Sequence, residues 1–194
     1  MKNFFRKVSF GIGPNEQTPS DPLKWALDQV NDVPELSWKG KIYSEKELRK
    51  HYRDWVYGDR KVLRKKYKDN KTLYKTHKDI LRHKTGQKFW ESLEISIRHN
   101  EGINSSSPVL AKLWMFWGNF FAISEKDFLA NYSTGAYQRE IIRPNLNQSF
   151  EKMVYDVTTS WAMIHHLDNS ESAGPKSVTA CLLYTSPSPR DLAR

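Results

Sequence analysis

The sequence predicts an all-α protein that folds as an irregular multi-helix bundle. Apolar residues recur at intervals of three and four along most of the chain, which is the spacing of one helix face. Helix-start signals precede several of these segments, and no stretch shows the alternation of apolar and polar residues typical of a half-buried β-strand. The chain has 194 residues, and at roughly 150 residues per domain this length indicates a single domain.

The N-terminal residues 1–19 are expected to form a loop, because Gly11, Gly13 and Pro14 favour turns. The first helix is expected to begin at Asp21, where a carboxylate N-cap precedes a proline at the first helical position. It is expected to end at Val33, since the residue before a proline avoids the helical region.

The next helix begins at Ser44, which forms a predicted capping box with Glu47. The stretch 65–84 is polar, and its pattern leaves two interpretations open: one long solvated helix, or two helices with a break near residues 69–70. Gly86 separates this stretch from another amphipathic helix, which is expected to end in a loop at residues 102–107.

The densest apolar segment, residues 109–121, reads VLAKLWMFWGNFF. Its apolar residues cover more than one face, and we therefore expect the buried central helix of the core. Short helices should follow it: one capped by Ser124, one over 137–142, one beginning at Pro144 or Ser149, and a last one capped by Ser160.

The positive charge is concentrated in one segment of the chain. Residues 41–88 contain 17 Lys and Arg against six Asp and Glu, whereas the whole chain has a net charge of +9. Such a block can contact phosphates, anionic lipid or an acidic partner, but the composition favours a solvated helical face. Nucleic-acid binding is not expected, because the aromatic residues of the block fall mostly on the stripe that should face the core; they are Tyr52, Trp55, Tyr57, Tyr67 and Tyr74.

Several classes of protein are excluded by composition. The single cysteine, Cys181, allows no internal disulfide, and no apolar run reaches the 18 residues of a transmembrane helix. The start MKNFFRKVSFGIGP lacks the features of a signal peptide, so a cytoplasmic protein is expected if Met1 is the true start. No metal or cofactor is expected, since no HExxH, CxxC, P-loop or nucleophile-elbow pattern occurs.

Three ordered motifs resemble a bacterial family of unknown function, DUF1800. They are WGNFF at 117–121, YQREIIRP at 137–144 and AMIHHLDN at 162–169. Members of the family carry FW-x-NHF, then Y-x-R-x-x-IRPHA, then PAML-x-YLDN followed by S-x-GP. The resemblance implies a larger all-helical bundle whose activity is not established.

The resemblance also selects candidate residues. Gly118, Phe120 and Asn145 stand where the family has histidines, and Ser160-Trp161 replaces a His-Pro pair. If those histidines carried chemistry in the family, this chain has lost it, because imidazole is the usual neutral base and metal ligand. Six polar residues remain at matching positions and are the candidate ligand-binding residues: Asn119, Arg139, Glu140, Arg143, Asp168 and Asn169.

Each candidate has a structural alternative. Arg139 and Arg143 lie four apart, so they share a helix face and could clamp a phosphate, sulfate or carboxylate. Glu140 could instead form an ion pair with Arg143. Asp168 and Asn169 could ligate a cation or a substrate hydroxyl, or they could simply end a helix in a turn.

The C-terminal sequence VTACLLYTSPSPRDLAR resembles translated sequencing-adapter sequence rather than a continuation of the family. We therefore expect residues 1–178 to be the N-terminal part of a single helical domain, incomplete at its end, and residues 179–194 to be a disordered, spurious tail. A genuine short tail rich in serine and proline is the alternative, and it would also be disordered.

Three functional hypotheses follow. The first is a non-catalytic helical domain that binds a partner protein or an anionic ligand. The second is a fragment of a hydrolytic or metal-assisted enzyme whose site is completed by a missing C-terminal part. The third is a phosphate-backbone binder that uses the basic segment. The enzyme hypothesis would be favoured if one cleft contained Asn119, Arg139, Glu140 and Asp168. The first hypothesis would be favoured if each of these side chains made only local structural contacts.

Overall fold

The computed structural model describes residues 2–12, 17–124 and 130–167, and within these ranges every regular element is helical. The predicted all-α fold class is therefore confirmed. The α-helices are α1 (Lys2–Val8), α2 (Pro22–Asn31), α3 (Glu45–Arg53), α4 (Arg60–Lys66), α5 (Lys71–Lys84), α6 (Gln87–Asn104), α7 (Pro108–Phe120), α8 (Ala130–Tyr137), α9 (Phe150–Thr159) and α10 (Trp161–His166). Two π-helical turns, Asp54–Asp59 and Gln138–Ile142, and a 3₁₀ turn, Arg143–Asn145, complete the set.

The N-terminal segment is a helix and not the loop that its glycines and proline predicted. Phe5 is only 2% exposed, and its ring packs edge-to-face on Trp25 of α2 with a centroid distance of 5.2 Å. The ammonium group of Lys112 on α7 donates to the carbonyl oxygens of Arg6 and Ser9 at 2.6 and 2.8 Å. Because these contacts come from distant residues, the local pattern could not indicate the helix.

The predicted helix starts are confirmed where a side-chain cap defines them. Asp21 Oδ1 accepts a hydrogen bond from the Lys24 amide at 3.0 Å. Ser44 and Glu47 form both halves of the capping box: Ser44 Oγ accepts from the Glu47 amide, and Glu47 Oε2 accepts from the Ser44 amide. These bonds satisfy amides that the first helical turn leaves without intrahelical partners.

A side-chain cap also decides between the two interpretations of residues 65–84. Asn70 Oδ1 accepts a hydrogen bond from the Leu73 amide at 3.0 Å and begins α5, so the stretch is a helix pair with a break. At its other end, α4 continues α3 through the π-helical turn Asp54–Asp59, and Gly58 does not interrupt the helix. We call residues 60–84, which contain α4 and α5, the basic hairpin.

Two hydrophobic clusters form the core of the part of the chain that the structure describes. The larger one surrounds Trp114 and Tyr137, which are 1% and 0% exposed, and includes residues of α7, α8 and α9. The smaller one joins Leu48 and Trp55 to Trp90 of α6 and to Tyr132 of α8. Helix α8 therefore contributes to both clusters and connects the two parts of the bundle.

Helices α6 and α8 cross at Gly135. A Cβ atom added at this glycine would lie 2.3 Å from Glu94 Cβ, which is closer than real Cβ contacts allow. The crossing therefore depends on the missing side chain, and it positions the residues of α8 and the following π-helical turn against α6.

Three sequence-based expectations need correction. Helix α7 is not buried all round: Trp114 is 1% exposed, but Phe116 and Phe120 are 56% and 62% exposed, because the helix lies on one side of the core. Helix α6 extends to Asn104 rather than ending near 102, since buried Glu101 is held in its last turn. The segment 137–142 is not a separate helix but the end of α8 and a π-helical turn.

Some expectations fall on residues beyond those described. They are the short helix after Ser124, Asp168, Asn169 and the tail 179–194. Among the described helices, none is both long and apolar enough to cross a membrane.

Candidate functional site

Arg139 is held in a buried, bidentate ion pair. Its Nε and Nη2 atoms donate to the two carboxylate oxygens of Glu94 at 2.8 and 2.6 Å, and Nη2 also donates to the Tyr43 carbonyl at 2.7 Å. The side chains of Arg139 and Glu94 are only 4% and 9% exposed. The guanidinium thus ties the turn after α8 to α6 and to the segment that precedes α3.

Arg143 makes a second ion pair with α6. Its Nη2 atom lies 3.2 Å from Glu101 Oε1, and the side chains of Arg143 and Glu101 are 11% and 3% exposed. The other carboxylate oxygen of Glu101 accepts from the amide and hydroxyl of Ser37 at 2.9 and 2.7 Å. Burial acts to raise the pKa of Glu101, but the hydrogen bonds from Ser37 and the charge of Arg143 outweigh it and lower the pKa.

The two arginines therefore share one face, as their spacing predicted, but they bind separate carboxylates seven residues apart on α6. The spacing in the sequence indicated Glu140 as a partner of Arg143, and it did not indicate Glu94 or Glu101. A signal was present, since both glutamates are in helical register with the apolar residues of α6.

Glu140 acts at a helix start. It is exposed, and its Oε1 atom accepts a hydrogen bond from the Glu45 amide at 3.0 Å, so it caps α3 from a residue 95 positions away. Burial raises the pKa of Glu45, with Arg49 opposing this effect and the Glu140 carboxylate adding to it. Arg49 in turn lies over the Trp161 ring, at 4.8 Å from its centroid.

The remaining candidates are placed differently. Asn119 is exposed near the end of α7, whereas Arg139 and Arg143 are largely buried against α6. Asp168 and Asn169 lie outside the described residues. Arg139, Arg143 and Glu140 therefore lie in one continuous segment of π-helical and 3₁₀ turns. Each of the three side chains makes an ion pair or a hydrogen bond with another helix.

Two of the positions that depart from the family motifs are tightly packed. A Cβ atom at Gly118 would lie 3.1 Å from Gln138 Oε1, which leaves little space for a side chain. The Asn145 amide nitrogen donates to the Ile141 carbonyl and to Asp156 Oδ2, both at 2.9 Å. These residues serve packing and local hydrogen bonding in this chain.

A small pocket borders the Arg139–Glu94 pair. It has a volume of about 70 Å³ and is lined by Glu91, Glu94, Ile95, Arg98, Trp114, Thr134, Gly135 and Gln138. Arg98 Nη1 donates to Gln138 Oε1, and Trp114 Nε1 donates to the Gln138 carbonyl, both at 2.8 Å. At about 30 Å³ per water molecule the pocket accommodates water rather than an organic substrate.

An aromatic surface is exposed at the end of α7 and the start of α9. It consists of Phe116, Trp117, Phe120, Phe121 and Phe150, whose neighbouring rings have centroids 4.9–6.4 Å apart. Phe116, Phe120 and Phe150 are each more than half exposed. Clusters of exposed rings are typical of surfaces that contact another protein.

The basic hairpin carries as much net charge as the whole chain. Residues 60–84 contain eleven Lys and Arg against two Asp, a net charge of +9. Most of these cations are exposed. The aromatic residues of the wider basic segment do not all face the core as expected: Trp55 is buried, but Tyr57 is 71% exposed.

A cleft lies beside the hairpin, where the π-helical turn meets α4. Its volume is about 350 Å³, and its lining residues are Val56, Tyr57, Arg60, Lys61 and Arg64. Positions 57, 60, 61 and 64 share one helix face, which brings three cations and an exposed ring to the same surface. We call this site the basic cleft.

Metal ligands do not cluster in the described ranges. No group of three or more His, Cys, Asp or Glu side chains is arranged there to hold an ion.

The fold and these surfaces define an all-helical bundle protein with arginine–glutamate ion pairs between its helices and a strongly basic helical hairpin. A family model described as "Protein of unknown function (DUF1800)" matches residues 3–178, and the chain belongs to that family. This confirms the family indicated by the three ordered motifs. No curated protein and no solved structure matches the chain.

Proposed function

We propose that this chain is a non-catalytic helical domain that binds an anionic ligand or an acidic partner protein through the basic hairpin. The observation that carries the proposal is the net charge of +9 on the 25 residues 60–84, most of whose cations are exposed. Charge of one sign on an exposed surface attracts oppositely charged partners and accelerates their association.

The bonding of the candidate arginines supports a binding role over a catalytic one. A fragment of a hydrolytic or metal-assisted enzyme is the alternative, and it would use Arg139 or Arg143 to hold a substrate anion. Both guanidiniums already contact buried carboxylates, and a ligand would have to displace Glu94 or Glu101. Leaving either carboxylate buried without a cation would be costly.

The cations of the basic hairpin are more accessible to a ligand than Arg139 and Arg143 are. The carboxylates of the hairpin are Asp69 and Asp79, and Asp79, whose side chain is 65% exposed, lies 3.7 Å from Arg82, whose side chain is 27% exposed. Such partly exposed pairs contribute little and are screened by salt, so an acidic partner can compete with them.

A titration with a short poly-L-glutamate peptide tests this proposal. The triple variant Lys65→Glu/Lys68→Glu/Lys71→Glu should bind at least about tenfold more weakly than the wild type, because it reverses exposed charges on the hairpin. Binding should also weaken as salt is raised. Isothermal titration calorimetry at two ionic strengths measures both effects.

The matched control is Lys7→Glu/Lys24→Glu/Lys39→Glu, which makes the same change in net charge at exposed lysines outside the hairpin. It should retain most of the affinity. An equal loss in both triple variants would mean that only total charge matters, and the proposal would then be wrong. Salt-insensitive binding would also contradict it.

A further inference from the structure

The basic cleft is open to solvent and is lined by residues of one continuous helical stretch. Its volume of about 350 Å³ falls within the usual range of about 300–1,000 Å³ for ligand pockets. Arg60, Lys61 and Arg64 bring three cations to it from two adjacent turns of α4. The planar guanidinium of arginine binds phosphate through two parallel hydrogen bonds, and lysine adds a compact charge.

Helix α5 strengthens the positive field on the same side of the hairpin. Burial acts to raise the pKa of Tyr74, but hydrogen bonding from Arg60, the charges of Lys78 and Arg60, and hydrogen bonding from Arg64 outweigh it and lower the pKa. Both arginines of the cleft therefore also interact with the Tyr74 hydroxyl. The Lys78 ammonium lies 5.8 Å from the centroid of the Tyr74 ring. The exposed residue Asp59 directly precedes Arg60 and is not among the residues that line the cleft.

Apolar groups line the cleft beside the three cations. Val56 and Tyr57 belong to the π-helical turn Asp54–Asp59, and the Tyr57 side chain is 71% exposed. π-Helical turns inside α-helices occur frequently at functional sites. An exposed aromatic ring beside arginines can pack against an organic group while the cations hold its charged end.

We propose that the basic cleft binds an organic phosphomonoester, with the phosphate on Arg60, Lys61 and Arg64 and the organic group against Val56 and Tyr57. This inference rests on the proposed function and identifies the anion and its site. A monoester carries about −1.5 to −2 charges near neutral pH, which suits three neighbouring cations better than the single charge of a phosphodiester.

An NMR titration with phenyl phosphate, inorganic phosphate and phenol tests the proposal. Phenyl phosphate should bind about tenfold more tightly than inorganic phosphate, because its ring buries apolar area that inorganic phosphate lacks. Phenol should not bind measurably. The amide signals of residues 56–64 should shift most, since they line the site.

Two variants separate the roles of charge and ring. Arg64→Gln should weaken both phosphate probes by about tenfold, because it removes a charge-assisted hydrogen bond. Tyr57→Ser should abolish the preference for phenyl phosphate and leave the affinity for inorganic phosphate unchanged. Both side chains are exposed, so the fold should be retained. Lys75→Gln is the control: it removes one charge from the hairpin outside the cleft and should change binding less than twofold.

The outcomes distinguish this inference from the proposed function. If phenyl phosphate binds no better than inorganic phosphate, or if Lys75→Gln weakens it as much as Arg64→Gln, the cleft is not a phosphomonoester site. Hairpin-dependent binding of poly-L-glutamate would still support the proposed function in that case. If neither phenyl phosphate nor poly-L-glutamate binds, both proposals are wrong.

Discussion

Replacing Arg139 by alanine tests whether this residue stabilises the fold. The substitution removes three hydrogen bonds, two to Glu94 and one to the Tyr43 carbonyl. It leaves a carboxylate that is 9% exposed without its cation. A buried charge that loses its partner usually costs about 3–5 kcal/mol, and we expect a loss of that size in the free energy of unfolding.

The magnitude follows from burial rather than from the ion pair itself. A double variant, Glu94→Leu/Arg139→Met, removes both charges and fills the space with apolar side chains. Burying the pair costs desolvation energy that offsets most of its attraction, so the double variant should lie within about 2 kcal/mol of the wild type or be more stable. The unpaired Tyr43 carbonyl should account for about 1 kcal/mol of any remaining loss.

Urea-induced unfolding, followed by circular dichroism, measures these differences. Lys50→Ala is the control, because Lys50 forms a 2.9 Å ion pair with Asp54 whose side chains are 68% and 58% exposed. Such a pair should contribute only about 0.3–0.5 kcal/mol. If Arg139→Ala costs no more than Lys50→Ala, the reasoning is refuted, and an arginine reserved for a substrate becomes the better interpretation.

Two other predictions concern the contacts of α6. Gly135→Ala should destabilise the protein by about 1–3 kcal/mol, because the added Cβ would lie 2.3 Å from Glu94 Cβ and force the helices apart. An unchanged melting temperature of this variant would contradict the close crossing. The pKa of Glu101 is lowered from its usual 4.5 in the folded state, so its contribution to stability should be complete above that value and lost as the pH falls through the lower folded-state pKa. The urea-unfolding free energy of Glu101→Gln should therefore fall less than that of the wild type between neutral and acidic pH, and parallel curves would rule out this contribution.

Local signals explain which parts of the fold could be predicted. Ser44 and Glu47 satisfy each other's amides within four residues, and the capping box is therefore visible in the sequence. Asp21 acts in the same way at α2. Helix α1 lacks such a signal, since it depends on Trp25 and on Lys112, which lies 106 residues from Arg6.

The candidate residues show the same division. Family motifs selected Arg139 and Arg143 from the sequence, and their spacing placed them on one face. Their partners Glu94 and Glu101 lie 45 and 42 residues earlier in the chain, and no local pattern connects them. The pairing arises only when α8 crosses α6 at Gly135.

The sequence by itself determined the all-α class, the capped helix starts, the family and the location of the basic segment, because each depends on residue type, composition or short spacing. Only the tertiary structure decided that Arg139 and Arg143 form ion pairs with α6, that Glu140 caps α3, and that Tyr57 is exposed beside three cations. These outcomes depend on which helices meet, and a buried charge takes whichever partner the packing brings within hydrogen-bond distance.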